Sequence, residues 1–132
     1  NATVVHLARG DMTRRHNARQ VDASTPSPSE REFQDMVIEL AQRTGWVTAH
    51  FRAAWTEKGW RTPVQGEGKG FPDNVFMRLE DRRVLFIELK SEQGKASPPQ
   101  IAWLEGLRHC GQDVHIWRPA DWEQIVAVLA RR

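Results

Sequence analysis

The sequence predicts an α/β fold, on three observations. Apolar residues recur at helical spacing in three segments. Four short runs rich in β-branched and aromatic residues lie between them. Glycines and prolines punctuate most of the joins. The resulting order is α-β-β-β-α-β-α.

Each element follows from local chemistry. Residues 1–28 lack sustained periodicity and close on Ser24-Thr25-Pro26-Ser27-Pro28, so a flexible N-terminal arm is expected ahead of a domain at 29–132. Over residues 29–44, Phe33, Met36, Val37, Leu40 and Ala41 define the buried face of a first helix, which Gly45 ends. Trp46 to His50 reads as a short strand. Residues 51–72 are polar and carry Gly59, Gly66, Gly68 and Gly70, which predicts a long loop, and loops of that length in small domains are commonly functional. Asn74–Leu79 and Arg83–Leu89 form two strands joined by a tight turn at Glu80-Asp81-Arg82. Ser97 caps a second helix whose first turn accepts Pro98 and Pro99. Gln100, Trp103, Leu104 and Leu107 share one stripe of that helix, and Gly111 closes it. A strand at Asp113–Trp117 and a helix at Asp121–Ala130 complete the chain.

Bulk properties narrow the function classes. The chain has 132 residues, 39% hydrophobic and 27% charged, enough for one domain with a real core. No apolar run approaches the roughly 20 residues that span a bilayer, and the first residues lack the apolar centre of a signal peptide, so no membrane partner is expected. The single cysteine, Cys110, excludes an internal disulfide, disfavours a Cys/His zinc site and suits a reducing, cytoplasmic setting. The net charge of +2 comes from the first 29 residues, because the rest carries 15 basic and 15 acidic side chains. Any nucleic-acid surface must therefore arise from local placement.

The chemistry concentrates in Gly70-Phe71-Pro72-Asp73 and Glu88-Leu89-Lys90. The second follows the apolar run Val84-Leu85-Phe86-Ile87, so two charges end a strand where burial is costly. Glu88 and Lys90, two apart, point to the same face. Pairing of the adjacent strands can bring Asp73 beside Glu88. Two converging carboxylates suit Mg²⁺ or Mn²⁺, and a nearby lysine can hold a water and balance charge developing on a phosphate. A salt bridge between Lys90 and either carboxylate fits the same residues. Gln100 and Glu30 tilt the balance toward a site, since each lies on the inner edge of its helix. Glu30 also fits a capping box with Ser27, as Glu32 does with Ser29, and Gln34 fits a polar boundary position. Arg52, Lys58, Arg61 and Lys69 are candidate phosphate contacts in the 51–72 segment, and Trp55 and Trp60 are candidate base contacts there. Interleaved Glu57 and Glu67 fit an ordinary solvated loop equally. Trp46, Trp103 and Trp117 read as core.

The succession Glu30-x-x-Phe33-Gln34, Gly70-Phe71-Pro72-Asp73, Glu88-Leu89-Lys90 and Gly94-x-x-Ser97-x-x-Gln100-x-x-Trp103 resembles the virus-type replication-repair nuclease (VRR-NUC) domain of the PD-(D/E)XK superfamily, over roughly residues 29–125. The resemblance implies a restriction-endonuclease-like fold, a mixed central sheet flanked by helices. It implies that Asp73 and Glu88 ligate Mg²⁺ or Mn²⁺, with the Leu89 carbonyl as a third ligand. Lys90 would position the attacking water and Gln100 would support the site, through Lys90 or a phosphate. Glu30 would be an outer acidic partner. His50 stands where related phage sequences carry a histidine and is assigned to the DNA side. A stand-alone member of this length looks phage-like, which implies a homodimeric, Holliday-junction-resolvase-like endonuclease on branched DNA, without a small-molecule cofactor, in the host cytoplasm. A restriction-type or structure-insensitive endonuclease, a non-cleaving nucleic-acid-binding module and a protein-interaction domain remain open.

Overall fold

The computed structural model describes residues 26–132, so most of the arm expected at 1–28 lies outside the described residues. Helix α1 spans Glu30–Arg43. Ser29 caps it: its hydroxyl accepts from the Glu32 amide at 3.1 Å and donates to the Glu32 carboxylate at 3.0 Å. Glu30 is therefore not the capping partner. The chain leaves α1 through Thr44 and Gly45, whose φ of 90° is a conformation glycine adopts without strain.

Six strands follow the helix in part: β1 Val47–His50, β2 Ala54–Thr56, β3 Gly59–Arg61, β4 Asn74–Arg78 and β5 Arg83–Leu89, with β6 Asp113–Trp117 coming after helix α2, Pro98–His109. A 3-10 turn at Pro119–Asp121 leads into α3, Trp122–Ala130. The main sheet has the order β1-β4-β5-β6. β1, β4 and β5 are antiparallel neighbours, and β6 runs parallel to β5. The sheet is thus mixed, and α2 supplies the crossover that a parallel pair requires.

The core lies between the sheet and the α1–α3 layer. Phe33, Val37 and Ala41 of α1 and Ile125 and Leu129 of α3 pack with Trp46, Phe76, Leu85, Ile87, Leu89 and Trp117. On the opposite face Phe71 lies edge-on to Phe86 at 6.2 Å and to Trp103 of α2 at 5.2 Å. The sheet is therefore covered on both sides, and Phe86 and Glu88 alternate with Leu85 and Ile87 along β5.

Two readings of the sequence are corrected. The segment 51–72 is not all loop: β2 and β3 form a hairpin of their own, with Trp55 opposite Trp60. Its strands have three residues each, too short for an alternating pattern to show. Met36 is 42% exposed and is not a core residue, while Gln34 is buried in its place. The stripe of α1 is rotated because the Gln34 amide has a partner inside the protein. Two of the three residues that β4 turns toward the α1–α3 layer are polar, Asn74 and Arg78. Among the described residues no helix is long and apolar enough to cross a membrane.

Candidate active site

The site forms where β4 begins and β5 ends. The register pairs Asn74 with Ile87, which sets Asp73 beside Glu88. The Asp73 amide donates to Glu88 Oε2 at 3.3 Å. Lys90 Nζ lies 3.3 Å from Glu88 Oε1, as expected for residues two apart on one strand face. Gln100 Nε2 donates to the same Oε1 at 3.0 Å. The other end of that amide is also engaged, because Gln100 Oε1 accepts from the Ser97 amide at 2.9 Å. The capping box of α2 thus fixes the side chain that holds Glu88. Gln100 touches Glu88; the resemblance implies a supporting role through Lys90 or a phosphate.

The Gly-Phe-Pro-Asp segment explains how α2 comes so close. Gly70 has φ of 87°, and a Cβ there would lie 2.4 Å from the Pro99 carbonyl carbon and 2.6 Å from the Gln100 amide nitrogen. Only glycine lets the chain pass against the first turn of α2. Pro72 is buried one residue before Asp73. Asn74, next after Asp73, is locked from the other face: Gln34 Nε2 donates to its Oδ1 at 2.7 Å, and its Nδ2 donates to Gln34 Oε1 at 3.1 Å. This reciprocal pair satisfies two buried amides and ties α1 to the strand that carries Asp73.

Burial dominates the electrostatics. Glu88 is fully shielded from solvent. That burial, with the Asp73 charge adding to it, raises its pKa from 4.5 to about 7, and Lys90 opposes the rise only in part. Burial also raises Asp73, against a hydrogen bond from Glu88 and the charge of Lys90. His50 is lowered by burial, against the pull of Asp73. The ionised form of each carboxyl is thus poorly compensated by its surroundings. Among the described residues no group of three His, Cys, Asp and Glu side chains is arranged to hold a metal. A cation here would draw on the two carboxylates and on backbone or water oxygens. That all-oxygen set fits Mg²⁺ or Mn²⁺, and Mg²⁺ is commonly held by one or two carboxylates with waters completing its shell.

A pH dependence follows. Because Glu88 has a folded-state value above its unfolded one, its contribution to stability is complete below about 4.5 and is lost as pH rises through about 7. His50 and His115, lowered by burial, act with the opposite sign below 6.5. Thermal melts in EDTA between pH 5 and 8 should therefore show Glu88→Gln gaining on the wild type as pH rises. A constant difference across the series contradicts the shifted carboxyl.

A cleft of about 690 Å³ opens over this end of the sheet. Glu30, Arg31, Gln34, Asp35, His50, Arg52, Asp73 and Leu89 all contribute to its wall. Of the residues singled out in the sequence, Asp73, Glu88, Lys90 and Gln100 are brought into one cluster, and Glu30, His50, Leu89 and Arg52 line the cleft beside it. Lys58 and Arg61 are on the β2–β3 hairpin and Lys69 is in the following loop; all three are exposed and do not line the cleft. Arg31, Asp35 and the Gln34–Asn74 pair were missed. Arg31 and Asp35 are four apart on α1, next to Glu30, a spacing that places them on one helix face.

The family model described as "VRR-NUC domain" matches residues 15–121, most of the chain. No curated protein and no solved structure matches it significantly.

Proposed function

The chain belongs to the VRR-NUC family, and from that premise we propose that it is a Mg²⁺- or Mn²⁺-dependent endonuclease of PD-(D/E)XK type that cuts branched DNA. The family identifies a nuclease, with DNA as its substrate. The observation that supports cation-assisted hydrolysis best is the convergence of Asp73, Glu88, Lys90 and Gln100 from two strands and a helix.

In this reading Asp73 and Glu88 hold the cation, with the Leu89 carbonyl as a further oxygen. Bound there, the cation supplies Lewis acidity toward a phosphate oxygen and eases deprotonation of water. Lys90, released from Glu88, orients the attacking water and offsets the negative charge that grows on the phosphate. Gln100 keeps Glu88 Oε1 in place while its other end stays bound to Ser97. Arg31 and Arg52 on the cleft wall receive neighbouring phosphates, beside His50, and Glu30 is an outer acidic partner.

Resolution of a four-way junction needs paired cuts, so two copies of the chain act on one junction in phage replication or repair. Incubating the protein with duplex, flap and four-way-junction DNA in Mg²⁺, Mn²⁺ or EDTA tests this. Junction cleavage that requires the cation is expected, with gel filtration giving a two-chain mass. Equal cleavage of all three substrates would leave a restriction-type or structure-insensitive enzyme. Binding without cleavage in Mn²⁺ would leave a non-cutting module.

A further inference from the structure

The β2–β3 hairpin has no role in the chemistry above, yet it carries two of the most exposed large hydrophobic side chains among the described residues. Trp55 is 71% exposed and Trp60 is 68% exposed. They face each other across the hairpin, 5.5 Å apart and edge-on at 72°. Resting on the reading of the chain as a DNA nuclease, we propose that Trp55 and Trp60 form a stacking clasp for unpaired bases of the strand whose phosphate enters the cleft.

Placement supports this occupant. Trp60 itself lines the cleft that Asp73 lines, as do Ala53 and Thr62 at the hairpin's base. A strand leaving the cleft thus runs directly onto the hairpin. Charge fits a polyanion: between residues 52 and 62 Arg52, Lys58 and Arg61 stand against Glu57 alone, a net of +2. Arg52 is at the cleft wall and Lys58 and Arg61 are on the hairpin, so phosphates are met along the path. The hairpin is not part of the main sheet, and its turn is closed locally by Thr56, whose hydroxyl donates to the Gly59 carbonyl at 2.7 Å. Its tryptophans therefore do not serve the core. In this edge-to-face contact only one ring face is covered by the other indole, which leaves the remaining faces of two exposed rings open to a base. Every base offers a π-face, so such a clasp selects unpaired DNA without reading sequence. A second copy of the chain is the competing occupant.

The test uses the full chain in EDTA, which separates binding from cleavage. Affinity is measured for a blunt duplex and for the same duplex with a single-stranded arm carrying 2-aminopurine beside the branch. Trp55→Ala and Trp60→Ala are each expected to lose about 10–100-fold in affinity for the forked DNA and to relieve quenching of the probe, with blunt-duplex affinity unchanged. The corresponding Phe variants should recover part of both signals, which a merely structural role of the indoles would not produce. Equal losses on both DNAs, or none on the fork, overturn the clasp. So does a change from dimer to monomer in sedimentation velocity with fork affinity intact. If the variants fail these tests while wild type still cleaves DNA in Mg²⁺, the clasp alone is wrong; if wild type binds no DNA, both readings fall.

Discussion

Glu88→Gln is expected to yield a folded protein, at pH 8 at least as stable as the wild type without divalent cations, that cleaves DNA about 10²–10⁴-fold more slowly. The two halves of this expectation have one cause. Glu88 is buried beside Asp73, and its pKa is raised to about 7, so the fold accepts the neutral form readily. The glutamine has the same shape and can still meet Lys90 or Gln100 through its oxygen. What it lacks is the charge that a cation requires. Lys90→Ala should lose cleavage on the same scale, by removing the ammonium now 3.3 Å from Glu88. Steady-state cleavage rates with melting curves measured alongside check both. Undiminished activity in Glu88→Gln would remove this residue from the mechanism.

Arg78→Leu is expected to cost roughly 3–5 kcal/mol of stability, a large share of the roughly 5–15 kcal/mol that small domains have. Arg78 is 1% exposed. Its guanidinium holds Asp81 through two bonds, of 2.9 and 2.7 Å. It also donates to the carbonyls of Thr44 at 3.0 Å, Leu129 at 2.7 Å and Arg131. These carbonyls belong to the C-terminal ends of α1 and α3, where oxygens lack partners within the helix and carry the negative end of its dipole. The guanidinium also lies over the Trp46 ring, 4.3 Å from its centre. A leucine fills part of the volume but donates nothing, so Asp81 loses this partner and the three carbonyls keep only their Arg132, Trp46 and Arg83 donors. Lysine keeps the charge but not the fork that reaches several acceptors at once. The melting temperature should fall by about 10–20 °C. Cleavage per folded molecule should persist, because five residues of strand, about 16 Å, separate Arg78 from Asp73. A change below about 1 kcal/mol in urea unfolding would contradict the network.

The parts of this protein that local patterns encode were legible in its sequence. Ser29 and Ser97 mark helix starts by capping, and the apolar run ending in Glu88 with the short turn before Arg83 marks the β4–β5 pair. That pair brings Asp73 to Glu88, so the centre of the site was readable as well. Gln100 was readable as a neighbour of this cluster, though its contact with Glu88 was not. What escaped the sequence depends on partners far apart along the chain. Gln34 looks like a boundary residue until Asn74, 40 positions on, supplies its partner. Arg78 looks like a solvated strand residue until the carbonyl of Leu129, 51 positions on, is placed over it. The parallel pairing of β6 with β5 has no local signature either. The β2–β3 hairpin escaped for another reason: Trp55 and Trp60 flank Thr56-Glu57-Lys58-Gly59, a turn signal read only as loop composition.

If Asp73 and Glu88 together hold a divalent cation, the bare protein should bind one through them. Isothermal titration of Mn²⁺ into the wild type and into the Asp73→Asn/Glu88→Gln double variant, at pH 8 and without DNA, tests it most directly. Saturable binding and a rise in melting temperature are expected for the wild type, with both absent from a variant that is still folded. The same binding in the two proteins, or none in either, would contradict it.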